Sequence, residues 1–139
     1  MFVLNGDTFL ELDYTKMLEL HRLRQAEVTI ALKPLEETSR YGNIGMMGDR
    51  IVRFKEKGDV GPGLISAGIY LLNRSTIEAL HLPEVFSFEQ DFLAVQYAEM
   101  KMYGYVSDTY FIDIGIPEDY ERAQTELPQQ FKRMALSIV

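Results

Sequence analysis

The first thirty-two residues carry strand, helix and strand signals in that order, and this order restricts the fold more than any other feature of the chain. Residues 2–5 form a short, largely apolar run that reads as a buried strand in parallel pairing. Met17, Leu18, Leu20, His21 and Leu23 follow at roughly helical spacing, with Asp13 or Thr15 placed to cap the helix. Val28-Thr29-Ile30-Ala31-Leu32 is apolar and β-branched, so it reads as a second core strand. Strand, helix and strand within about 30 residues make a βαβ unit with a right-handed crossover.

The middle of the chain reads differently. Pro34 to Arg40 is a polar loop, and Asn43–Met47 and Arg50–Lys55 are two short strands joined by a tight Gly48-Asp49 turn. Lys57 to Gly63 is a turn-rich, mobile loop. Leu64–Leu72 is a strand with Gly68 inside it, and an interior glycine signals something approaching the backbone closely. Ser75 caps a short helix over Thr76–Leu80, and Ser87 with Gln90 fits a capping box ahead of the next helix. Tyr103–Val106 and Tyr110–Ile114 read as strands, and Pro117 with Glu118 and Asp119 opens a last helix. The pattern predicts one α/β domain over residues 1–139, antiparallel in its middle third.

A net charge of −7 argues against nucleic acid or an anionic membrane as partner, since both require a basic face. A phosphorylated ligand would need a local cationic pocket or a metal. The chain has no cysteine, which excludes disulfides and thiolate-zinc sites and is compatible with a reducing cytoplasm, the expected location. No apolar stretch is long enough to span a bilayer, and no signal-peptide pattern opens the chain.

Two aspartates carry the strongest chemical signal. Asp7 closes Phe2-Val3-Leu4-Asn5-Gly6-Asp7, and Asp113 sits in Tyr110-Phe111-Ile112-Asp113-Ile114-Gly115. A carboxylate at the carboxyl end of a strand in an α/β protein points into the ligand crevice. Two of them could share one divalent cation, and hard oxygen ligands suit Mg²⁺. The competing reading of each is a strand-end turn residue. Glu56-Lys57 enters the glycine-rich loop; it reads either as a solvated charge pair or as a glutamate on sugar hydroxyls beside a lysine on phosphate. The clusters Gly42–Gly48 and Gly58–Gly63 lack the spacing of a dinucleotide fingerprint or a P-loop and read as turns. His21 and His81 have no partner at catalytic spacing, and the tyrosines and methionines read as core filler.

Six segments, in order, resemble the sugar-1-phosphate nucleotidyltransferases, with most similarity to the heptose- and mannose-1-phosphate guanylyltransferase branch. They are Leu4-Asn5-Gly6-Asp7, Ser39-Arg40-Tyr41-Gly42-Asn43-Ile44, Phe54-Lys55-Glu56-Lys57, Ser66-Ala67-Gly68-Ile69-Tyr70, Ser87-Phe88-Glu89-Gln90-Asp91 and the run from Phe111 to Tyr120. The resemblance implies a Rossmann-like mixed sheet, Mg²⁺ on Asp7 and Asp113, sugar hydroxyls on Glu56 and sugar phosphate on Lys57. It also implies that Gly42 and Gly68 let the sugar lie against the backbone. The implied reaction is attack by a sugar-1-phosphate oxygen on the α-phosphate of an NTP, GTP by the branch resembled, releasing pyrophosphate.

Two departures stand out. Ser66 occupies a position where the family carries asparagine. The family's opening strand and its Gly-Gly-x-Gly-Thr-Arg-Leu loop, which cradle the NTP phosphates, have no counterpart in the sequence, so the resemblance covers the carboxyl-terminal part of the family domain. The resulting expectations are that sugar 1-phosphate binds, that NTP binds only if the missing half is supplied, and that the chain by itself is inactive. Its exposed sheet edge is expected to drive homo-oligomerisation. The competing functional reading is a non-catalytic sugar-phosphate-binding or assembly module. A glycosyltransferase is a third; Asp7-Thr8-Phe9 does not supply the Asp-x-Asp motif it would need.

Overall fold

The structure, a computed structural model, describes residues 1–55, 57–58 and 60–138. Among the described residues, eight strands and four α-helices follow one another as β1 (Phe2–Leu4), β2 (Thr8–Leu10), α1 (Tyr14–Leu23), β3 (Val28–Leu35), β4 (Ile44–Met47), β5 (Arg50–Phe54), β6 (Gly63–Leu72), α2 (Arg74–Glu78), a π-helical segment Phe88–Leu93, α3 (Ala94–Gln96), β7 (Met102–Val106), β8 (Phe111–Asp113) and α4 (Pro117–Ile138). Six strands form one mixed sheet in the order β1-β6-β3-β7-β5-β4, and β2 with β8 forms a separate two-stranded ribbon.

The central strands of the sheet are buried on both faces. Val28, Ile30 and Leu32 of β3 point into one apolar cluster with Tyr70, Leu72, Phe92, Leu93 and Met102. Ala31 of β3 joins Ile69 and Leu71 of β6 on the other side, against Met17 of α1 and Leu10 of β2. Period-two alternation thus sends apolar side chains both ways, which is why these two strands read as nearly continuous apolar runs. α1 is fixed by Asp13, whose Oδ1 accepts from Lys16 N at 3.0 Å, and it buries Met17 and His21 one turn apart.

The expected βαβ unit is present with one change. β1 is antiparallel to β6, as is β3, so β1 and β3 run the same way with β6 between them. β1 is therefore an edge strand with Leu4 55% exposed, rather than a buried parallel one. Its three residues are too few for a local pattern to report a partner some seventy positions away. β3 also continues through Pro34 and Leu35, where a loop was expected, because both pair with β6. The Gly48-Asp49 hairpin is as read, with Gly48 at φ 61°. α2 starts at Arg74 after Asn73, two residues ahead of the Ser75 cap expected. Ser87 does cap the π-helical segment, accepting from Gln90 N at 3.2 Å; in the reciprocal bond Ser87 N donates to Asp91 Oδ2 at 2.7 Å rather than to Gln90.

A bulge in β6 shapes the site. Ile30 faces Tyr70 and Leu32 faces Ser66, so β6 spends two extra residues opposite β3 around Ala67-Gly68-Ile69. Gly68 adopts φ 76°, open to glycine with little strain. The bulged backbone receives the chain leaving β1: Asn5 N donates to Gly68 O at 2.8 Å, and Thr8 Oγ1 donates to Ala67 O at 2.9 Å.

Candidate functional site

Asp7 lies between β1 and β2, and Asp113 ends β8. The ribbon pairs Thr8 with Asp113, and Ile114 N donates to Asp7 O at 2.8 Å, so the two aspartates are held side by side from opposite ends of the sequence. Asp113 Oδ1 accepts from Gly115 N at 2.9 Å, and its Oδ2 accepts from the Tyr41 hydroxyl at 3.0 Å. A Cβ on Gly115 would stand 3.0 Å from Asp113 Oδ1 and 3.5 Å from Asp7 Oδ2. Oxygens of both carboxylates therefore flank one small space beside Gly115, which a side chain there would crowd.

That geometry fits a hard divalent cation. Mg²⁺ is commonly held by one or two carboxylates while water and substrate phosphate complete its shell. Among the described residues no cluster of three or more His, Cys, Asp or Glu forms an all-protein cage, so a cation here would take its remaining ligands from elsewhere.

The pair opens onto a cleft of about 940 Å³ lined by Asn5, Asp7, Arg40, Tyr41, Gly42, Lys55, Lys57, Ser66, Glu89, Gln90 and Asp113, among others. Three cations, Arg40, Lys55 and Lys57, therefore face the same space as the two aspartates, which supplies the local positive charge that an acidic chain needs to hold phosphate. Tyr41 is positioned by an edge-on contact with Phe111, ring centroids 6.4 Å apart. Burial, with the Asp113 carboxylate beside it, pushes the Tyr41 hydroxyl well above the usual tyrosine range, so it stays protonated and donating.

The loop carrying Arg40 is anchored beneath. Buried Thr38 bonds Gly61 O through both its N–H (3.1 Å) and its hydroxyl (3.0 Å), and Asn43 Nδ2 donates to Thr38 Oγ1 at 2.9 Å. Glu37 Oε1 accepts from Ser39 N at 2.9 Å, which lowers the Glu37 pKa. Gly61 of the glycine-rich loop is thus joined to Thr38.

Of the residues singled out from sequence, the structure brings Asp7, Asp113, Gly42 and Lys57 into one cleft. Gly42 packs on backbone: a Cβ there would come within 2.7 Å of Lys55 O. Gly68 does not line the cleft. It is buried behind Asn5 and Thr8, whose side chains would meet its Cβ at 2.8 and 2.6 Å, so its close neighbour is the chain itself. Glu56 lies outside the described residues. His21 is structural: its Nδ1 bonds Thr29 Oγ1 at 2.7 Å and its Nε2 bonds Asn73 Oδ1 at 2.8 Å. The reading of tyrosines as filler fails for Tyr41 and Tyr70, whose hydroxyls hold Asp113 and Glu89. No spacing rule links Tyr41 to Asp113; their neighbours in the sequence were the only available signal.

Known proteins resemble this chain over most of its length. The Nucleotidyl transferase family profile matches residues 1–130. The chain is 48% identical over 125 residues to the D-glycero-alpha-D-manno-heptose 1-phosphate guanylyltransferase of Aneurinibacillus thermoaerophilus, covering 90% of this chain and 54% of that protein. It is 41% identical over 120 residues to the enzyme of the same name from Campylobacter jejuni, covering 86% of this chain and 52% of that protein. The crystal structure of HddC from Yersinia pseudotuberculosis superposes with a TM-score of 0.78 at 35% identity, over 91% of this chain and 55% of that one. The chain thus spans about half the length of the relatives it matches. The paired aspartates, the cationic cleft and the family match together place the chain in the nucleotidyl transferase family.

Proposed function

We propose that the cleft binds a sugar 1-phosphate beside a divalent cation held by Asp7 and Asp113, as the sugar-phosphate part of a guanylyltransferase site. The observation that carries this is the convergence of both carboxylates on the space over Gly115 at the edge of a cleft lined by Arg40, Lys55 and Lys57. Bound there, Mg²⁺ would neutralise charge on the reacting phosphates. Tyr41 fixes the orientation of Asp113 by its hydrogen bond, and Gly115 keeps the space between the carboxylates open. Lys57 contacts the sugar phosphate, Glu56 the sugar hydroxyls, and Gly42 gives the ligand close access to backbone.

In the complete reaction an oxygen of the sugar 1-phosphate forms a bond to the α-phosphorus of GTP, and the bond from that phosphorus to the bridging oxygen of pyrophosphate breaks. The protein's work is positioning and charge neutralisation. Names of the relatives support heptose or mannose 1-phosphate and GTP as the substrates. Titration calorimetry with mannose 1-phosphate and with heptose 1-phosphate, in Mg²⁺ and in chelator, tests the binding step. Metal-dependent binding lost in Asp113→Asn is expected; binding indifferent to chelator and to Asp113→Asn would refute the cation assignment. Pyrophosphate release from GTP plus sugar 1-phosphate separates an active enzyme from a sugar-phosphate-binding module, which would bind without turnover.

A further inference from the structure

Tyr70 in β6 is 1% exposed, yet its hydroxyl is hydrogen-bonded on both sides. It accepts from Ser66 Oγ at 3.2 Å and donates to Glu89 Oε1. A tyrosine hydroxyl has one proton to give, and here it goes to Glu89. Burial first, and the Glu89 carboxylate second, raise its pKa far above the usual range, so the group remains a donor. Its ring is held edge-on by Phe88 at 4.8 Å, and the Ser87–Asp91 cap fixes the turn that presents Glu89. Glu89 lines the cleft with one oxygen immobilised by this buried donor; among the described residues its Oε2 has no hydrogen-bond partner.

A carboxylate accepts hydrogen bonds and donates none, and it repels phosphate. The part of a ligand resting on Glu89 must therefore be uncharged and rich in donors, while its anionic part lies toward Arg40, Lys55 and Lys57. We infer that Glu89 is a specificity-determining residue that accepts from hydroxyls of a polyhydroxylated ligand, with Tyr70 as its positioning residue. This rests on the reading of the cleft as a sugar-phosphate site. It adds a second carboxylate that reads the sugar ring and sets which way round the ligand lies.

The test is calorimetry on the full chain in Mg²⁺ with mannose 1-phosphate, its monodeoxy analogues and inorganic phosphate. Hydrogen bonds to charged groups predict that Glu89→Gln weakens mannose 1-phosphate by about ten- to a hundredfold, while inorganic phosphate, relieved of a like charge, binds no more weakly than to the wild type. At least one monodeoxy analogue that binds the wild type poorly should lose that deficit in Glu89→Gln, because the amide oxygen stays on the Tyr70 hydroxyl and the amide NH2, a donor, replaces the acceptor facing the ligand. Tyr70→Phe should give the same ligand pattern with a smaller loss. Undiminished mannose 1-phosphate binding in Glu89→Gln overturns the assignment while the sugar-phosphate reading stands. Equal weakening of inorganic phosphate also overturns it, by showing a general disturbance of the cleft. A wild type that binds neither mannose 1-phosphate nor heptose 1-phosphate refutes the sugar-phosphate reading itself, and the assignment with it.

Discussion

Replacing Gly68 by alanine should cost about 2–5 kcal/mol of stability and weaken cation binding at the aspartate pair. Three contributions set that figure. At φ 76° an L-residue pays about 1–2 kcal/mol for the left-handed conformation. The new Cβ would stand 2.6 Å from Thr8 Oγ1 and 2.8 Å from Asn5 Nδ2, an overpacking of the kind that costs about 1–3 kcal/mol. Relief by moving Thr8 breaks its bond to Ala67 O, worth about 1 kcal/mol. Against these, alanine stabilises by about 0.4–1 kcal/mol through a less flexible unfolded chain. Because Asn5 and Thr8 flank Asp7, the strain is transmitted to the site. Urea unfolding of the wild type and Gly68→Ala measures the first effect, and Mn²⁺ titration in place of Mg²⁺ the second. Gly6→Ala is the control: a Cβ there meets nothing within 4 Å, and it should stay within about 0.5 kcal/mol of wild type. A Gly68→Ala loss below about 1 kcal/mol, with unaltered Mn²⁺ affinity, would show that the bulge does not position Asp7.

Other expectations are as specific. Tyr41→Phe removes the bond to Asp113 Oδ2, and Mn²⁺ titration should show affinity about five- to tenfold lower in a protein whose urea midpoint moves little. His21→Ala leaves Thr29 and Asn73 without their buried partner and opens a cavity beneath α1; urea unfolding should register a loss of about 2–4 kcal/mol. Tyr110, raised to about 12 by burial and its bond to Glu126, binds its proton more tightly folded than unfolded. Its contribution is complete below the unfolded value of about 10 and is lost as pH rises toward 12, with Tyr41 and Tyr70 acting in the same direction. Denaturation between pH 8 and 11 should therefore show falling stability above pH 10, with a shallower fall in Tyr110→Phe.

What local chemistry encodes was legible in the sequence. The Gly48-Asp49 hairpin, the Asp13 and Ser87 caps and the strands around Ile30 and Tyr70 each depend on residues within a few positions, where turn preference and periodicity act directly. Asp7 and Asp113 were visible as acids closing apolar runs, and the ordered segments around them pointed to the nucleotidyl transferase family. Only the tertiary structure decided that β1 is an antiparallel edge, that β2 exists as the partner of β8, and that Gly68 packs against the side chains of Asn5 and Thr8. The same holds for the hydroxyls of Tyr41 and Tyr70, which hold Asp113 and Glu89. The physical reason is separation along the chain: Thr8 meets Ala67 across 59 positions and Tyr41 meets Asp113 across 72. Such pairs are selected by the packing of the whole sheet, and no local period carries them.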